Sequence, residues 1–205
     1  EAGGDNVYCC GEKSPRFPIV LHTPWLDSVD EYVPIRYTII RPGIEISVSR
    51  VVCALIGTND YPSAAGQEMI TITNRQKLLS LDRRRIRQAV GAVLRDAGLN
   101  NVHVSVAVVD DRTIAELHGR YLGDSAPTDV LSFVLENGPD RFEGEVVVSA
   151  ETASANAPRY GNTPEDELLL YIIHGSLHLA GYDDQTPADR AVMRKREKQY
   201  LKLAE

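Results

Sequence analysis

The chain has 205 residues, 43% of them hydrophobic and 25% charged, a globular composition that excludes a disordered or fibrous polypeptide. A formal charge of −7 argues against a generally basic nucleic-acid coat, while leaving room for a local basic face or a metal that supplies positive charge. The longest apolar stretch, Leu168 to Ala180, is broken by His174, Gly175, Ser176 and His178 and is too short to cross a bilayer.

The composition changes at Met69. Upstream lie all three cysteines (Cys9, Cys10, Cys53), the only tryptophan (Trp25) and six of the eleven prolines. An odd, sparse cysteine count gives no disulfide framework and points to a reducing compartment, and the adjacent pair lacks the spacing of a zinc ribbon. Ile44, Ile46 and Val48 alternate like a strand, but Pro42 and Gly43 interrupt the run. Residues 1–68 are therefore expected to be a poorly structured N-terminal extension. With no methionine before Met69, they read as an upstream extension of the message or a dispensable leader, and the folded protein is expected to start at Met69.

From Met69 the pattern is legible. Ile70 and Ile72 read as a first strand, and Ser80 as the cap of a helix from Leu81 to about Ala97, stopped by Gly98. Val102 to Val109 alternates as a strand with Val102, Val104, Val106 and Val108 on one side. Asp110 or Asp111 can cap a short helix carrying Ile114, Leu117 and Tyr121. Strands are expected at Val130 to Leu135 and Gly144 to Ser149, and a small-residue helix at Ala150 to Ala157. Thr163-Pro164-Glu165-Asp166 and Thr186-Pro187-Ala188-Asp189 each supply a cap, a proline at the first position and acid in the first turn, so two further helices start there. The expected fold is α+β, a single mixed β-sheet of about four strands with helices packed on it.

The informative stretch is His174-Gly-Ser-Leu-His178-Leu-Ala-Gly181-Tyr-Asp-Asp184. Residues four apart share a helix face, so His174 and His178 can present two imidazole nitrogens to one ion. Gly181 can take the left-handed conformation that ends the helix, letting the following turn return Asp184 to the same ion. Two imidazoles and a carboxylate, with a position left for water, is the composition of a catalytic zinc centre. The metal site is thus expected on a central helix and the turn after it.

This segment resembles the signature His-Gly-x-Leu-His-Leu-x-Gly-Tyr-Asp-His of the YbeY family, bacterial metal-dependent endoribonucleases that act in ribosomal RNA maturation. Pro127-Thr128-Asp129-Val130-Leu131-Ser132-Phe133 is similar to the family's Pro-Thr-Asp-Val-Leu-Ser-Phe, Gly144 to Ser149 to its following strand, and Met193 with Glu197 to its last helix. The resemblance covers Met69 to the C-terminus and none of residues 1–68. It implies hydrolysis of RNA phosphodiesters by a metal-activated water, in rRNA maturation and ribosome quality control. One zinc ion per chain would be held by His174, His178 and Asp184, with manganese as the alternative. The implied partners are ribosomal RNA, precursor particles and ribosome-assembly proteins, in the cytoplasm and away from membranes.

Two departures from the pattern matter. The family's third histidine falls on Asp184, and its arginine falls on Leu122. Arg120 is the nearest stand-in for that arginine, although two residues' separation turns it to another side of the helix. Thr128, Asp129 and Ser132 are candidates for substrate contact, or else simply start and cap their strand. No general acid or base is identified. The basic runs Arg83, Arg84, Arg85, Arg87 and Arg194, Lys195, Arg196, Lys198, Lys202 are either solvated helix faces or phosphate contacts. Two rival readings remain: a ribosome-assembly binding factor with a structural metal site, and a zinc peptidase, whose His-Glu-x-x-His motif has its catalytic Glu replaced here by Gly175.

Overall fold

The computed structural model describes residues 68–204 except Pro139, together with the backbone of four strands further upstream: β1 (Asp5–Cys9), β2 (Ile19–His22), β3 (Arg36–Arg41) and β4 (Ile44–Ser49). Ile44, Ile46 and Val48 fall in β4. The rest of residues 1–67, Cys10 and Cys53 included, lies outside the described residues, as does the expectation about the order of that segment.

From Met69 the elements run β5 (Met69–Asn74), α1 (Arg83–Asp96), β6 (Val102–Val109), α2 (Asp111–Leu122), β7 (Val130–Asn137), β8 (Phe142–Ser149), α3 (Ala150–Tyr160), α4 (Pro164–Leu179) and α5 (Pro187–Leu203). This part forms the expected single mixed sheet of four strands. β5 and β6 are parallel, β6 and β8 are parallel, and β7 returns antiparallel to β8. β1 pairs antiparallel with the other edge of β7, so that β1 to β4 continue the same sheet.

The helices start where backbone N–H groups find side-chain acceptors. Thr163 and Thr186 accept from the N–H of Asp166 and Asp189, and Asp110 accepts from Thr113. The first helix corrects the expectation for Ser80. Its cap is Asp82, whose carboxylate takes both Arg84 N–H and Arg85 N–H at 3.0 Å, so α1 starts at Arg83. Gly98 follows its last turn with φ +70°, as expected of the stop.

Strands β6 and β8, and β7 over its first six residues, are buried on both sides. The sheet's first face, with Val104, Val106, Val130, Val146 and Val148, packs under α1 and α4 through Val90, Leu94, Leu169, Ile172, Ile173 and Leu177. Its second face, with Ala107, Leu131, Phe133 and Val147, is covered by Ile114, Leu117 and Tyr121 of α2. Alternation puts Val102, Val104, Val106 and Val108 on one side of β6, yet every one of its residues is buried, because it runs between β5 and β8 with layers above and below. No helix among the described residues is long and apolar enough to cross a membrane.

Candidate metal centre

Helix α4 is apolar on nearly all sides and lies directly on the sheet. Gly175 makes that approach achievable: a Cβ built there would stand 2.7 Å from Ser132 Oγ, 2.7 Å from Val146 Cγ1 and 2.8 Å from Val130 Cγ2. With Gly175 turned onto the sheet, His174 and His178 share another face of α4, their rings crossing edge to face with centroids 4.5 Å apart. A glutamate at position 175 would have no room, which removes the peptidase reading.

The hydrogen bonds of the two rings fix which nitrogens are available. His174 Nδ1 lies 2.6 Å from Glu197 Oε1, and His178 Nδ1 lies 2.9 Å from the Tyr182 carbonyl oxygen. A carboxylate and a carbonyl only accept, so both Nδ1 atoms carry the proton and donate. Both Nε2 lone pairs are then directed at the same point, with the atoms 2.9 Å apart. Two facing lone pairs repel unless a cation or an added proton lies between them. The third donor arrives through the turn. Tyr182 N–H donates to Leu177 O and Gly181 N–H to His178 O, each at 3.0 Å, and Gly181 adopts φ +88°. This paired closure ends α4 and reverses the chain. Donor atoms of His174, His178 and Asp184 lie within 4.8 Å of one another. Two imidazoles whose Nε2 atoms both face inward and an acidic third group suit a divalent cation of the zinc type.

Asp129, from the loop entering β7, stands beside this trio. Its carboxylate accepts from Thr128 Oγ1 and from Val130 N–H, each at 3.0 Å. Burial pushes the Asp129 carboxyl up, against the pull of the His174 ring, the Thr128 hydroxyl and the Val130 N–H. Tyr171, one turn before His174, accepts a hydrogen bond from Asn156 Nδ2 at 2.9 Å, and burial raises its phenol. Ser132 is buried under the helix and donates to Gly175 O at 3.1 Å. Arg120 is exposed on α2, whose Ile114, Leu117 and Tyr121 cover the opposite face of the sheet; burial raises the Tyr121 phenol and Arg120 lowers it. Leu122 packs against the apolar cluster of that same face. His118, one turn before Leu122, is buried with Nδ1 2.8 Å from Ala126 O.

Sequence reading placed Glu197 in the last helix without giving it a role. The signal was a single acid within Arg194-Lys195-Arg196-Glu197-Lys198. The Tyr182 carbonyl had no side-chain signal.

The family described as Endoribonuclease YbeY matches residues 71–205. A protein of Syntrophus aciditrophicus named Endoribonuclease YbeY is 42% identical over 143 residues, covering 65% of this chain and 88% of that protein. The protein of the same name from Rhodopirellula baltica is 42% identical over 127 residues, 61% of this chain and 66% of its own length. A solution structure of TM1509 from Thermotoga maritima shares 30% identity and covers 66% of this chain and 89% of that one, with a TM-score of 0.45.

Proposed function

Because the chain belongs to the YbeY family of endoribonucleases, we propose that it is a metal-dependent endoribonuclease that hydrolyses phosphodiester bonds of ribosomal RNA during maturation and ribosome quality control. The observation that carries this reading is the convergence of His174 Nε2, His178 Nε2 and an Asp184 carboxylate oxygen. Zinc is the proposed ion, one per chain, with manganese the alternative that a carboxylate ligand favours. A divalent ion held by this trio would supply Lewis-acid chemistry, polarising a phosphoryl oxygen and acidifying water. The chain's own residues do the rest. Glu197 and the Tyr182 carbonyl hold His174 and His178 through their Nδ1–H groups, and Asp129, bonded by the Thr128 hydroxyl, lies within electrostatic reach of His174. The proposed setting is the cytoplasm, with ribosomal precursor particles and assembly proteins as partners.

Leu122 supports a second reading. An apolar side chain occupies the family's arginine position and packs into the cluster under α2, while Arg120 is exposed on the same helix. That favours a ribosome-assembly binding factor whose metal is structural. Elemental analysis of the purified protein beside Asp184→Ala, followed by RNA cleavage with and without chelator, separates the readings. The nuclease reading expects an ion that is lost in the variant and cleavage that stops with chelator and in His174→Ala. An ion without cleavage gives the binding factor, and no ion in either protein overturns the metal site.

A further inference from the structure

Helix α5 is built as the outer wall of the metal centre. Met193 and Tyr200, seven residues apart and each 1% exposed, anchor it to the domain, and the residues between and beside them reach the three ligand-bearing segments. Arg190 Nη1 donates to Asp184 O at 3.0 Å and to Gln185 O at 2.8 Å, fixing the turn that carries Asp184. Arg196 lies over the Tyr182 ring, 5.8 Å from its centroid, next to the carbonyl that receives His178 Nδ1–H. Glu197 touches His174 itself at 2.6 Å.

Glu197 is the unusual member. It follows three cations and precedes a fourth, and in solvent it would simply join their exposed face. Instead its side chain is 14% exposed and its carboxylate is directed at a ring that is itself 12% exposed. Taking a carboxylate out of water is costly unless a partner returns the interaction. The partner is one N–H of an imidazole whose other nitrogen points at the ion position.

We infer that Glu197 is the positioning residue of this metal centre, its carboxylate holding His174 in the Nδ1–H tautomer and turning Nε2 onto the ion. The inference rests on the metal-site reading above. A carboxylate on the remote nitrogen of a ligating imidazole fixes the ring and strengthens it as a donor. A neutral acceptor of the same shape keeps the orientation and loses the charge; alanine loses both.

The test uses the full chain as wild type, Glu197→Gln and Glu197→Ala, with Asp184→Ala as the ligand control. Zinc affinity is read by competition with a chromophoric chelator, the cobalt-substituted absorption spectrum reports ligand geometry, and melting in chelator reports the metal-free fold. Glu197→Ala is expected to bind zinc about 10- to 100-fold more weakly, the usual cost of losing such a partner, with Glu197→Gln in between. The cobalt spectrum shifts in both, and metal-free melting of Glu197→Gln stays at the wild-type value. Wild-type affinity and spectrum in both variants overturn the inference, as does a loss of metal-free stability with affinity intact. If Glu197→Ala does not fold, Glu197→Gln decides by the same criteria. A wild-type protein that binds neither ion sinks the metal-site reading itself, an outcome distinct from tight binding that ignores Glu197.

Discussion

Asp184 supplies a carboxylate where the family signature has a third histidine. In the proposed donor set that exchange adds a negative charge, so an ion held there would be a weaker Lewis acid and harder ions would be better tolerated. Asp184→His is therefore expected to raise the preference for zinc over manganese, read by titrating the two ions in competition. An unchanged preference would remove Asp184 from the ligand set. Gly175 poses the opposite problem, one of space. The contacts awaiting a Cβ there are two β-branched methyl groups and a hydroxyl already bonded to Gly175 O, all on strands that are buried on both faces. None is the free end of a flexible side chain. Gly175→Ala should cost about 1–3 kcal/mol by overpacking, measured as a lower urea midpoint in chelator. A variant as stable as wild type would show that α4 can lift from the sheet without penalty.

Contacts between helices carry the next level of the argument. Tyr200 of α5 donates its phenol hydrogen to Asp96 Oδ2 of α1 at 2.8 Å. Burial, then the hydrogen bond to Asp96 and its charge, push the Tyr200 phenol up to about 12 from 10.0. An acid with a raised folded value leaves stability intact below the unfolded pKa. The stability is lost as pH rises from 10.0 towards about 12, because the unfolded chain ionises first. The loss is on the order of 3 kcal/mol for two pH units. Tyr200→Phe should be less stable than wild type at neutral pH by about 1–2 kcal/mol, for the missing hydrogen bond, and should fall less steeply on the alkaline side. Urea unfolding on either side of pH 10.0 checks both, and parallel alkaline slopes would show that Tyr200 is not the group responsible. The same contact shows where sequence reading stops. Thr163 and Thr186 were legible as caps because every signal they need lies within four residues. Ser80 and Asp82 are both capable caps two residues apart, and only the surrounding turn selects Asp82. His174, His178 and Asp184 were legible because a helix turn and one reversal bring them together. Glu197 lies 23 residues from His174 and reaches it only through the packing of α5 on α4, which no local pattern encodes. The burial of β6 on its second face depends in the same way on α2.

At the scale of the whole chain, the question is what residues 1–68 contribute. Among the described residues, the buried members of both apolar layers lie between 72 and 204, and the family match spans 71–205. The three proposed ligands lie inside that span. What the upstream segment adds at the backbone level is an edge: β1 pairs with β7 through Val7↔Phe133, Tyr8↔Ser132 and Cys9↔Leu131. Without it, β7 presents unpaired N–H and C=O groups along a strand that also faces the core on both sides, the arrangement that invites edge-to-edge association. A fragment comprising residues 69–205 is therefore expected to unfold cooperatively and to bind zinc as tightly as the full chain, while self-associating more readily at high concentration. Zinc competition and sedimentation of the two proteins side by side measure these separately. Unchanged affinity with increased association places the upstream strands at the sheet edge and outside the chemistry. A fragment that folds but binds zinc weakly would instead make the upstream segment part of the metal centre.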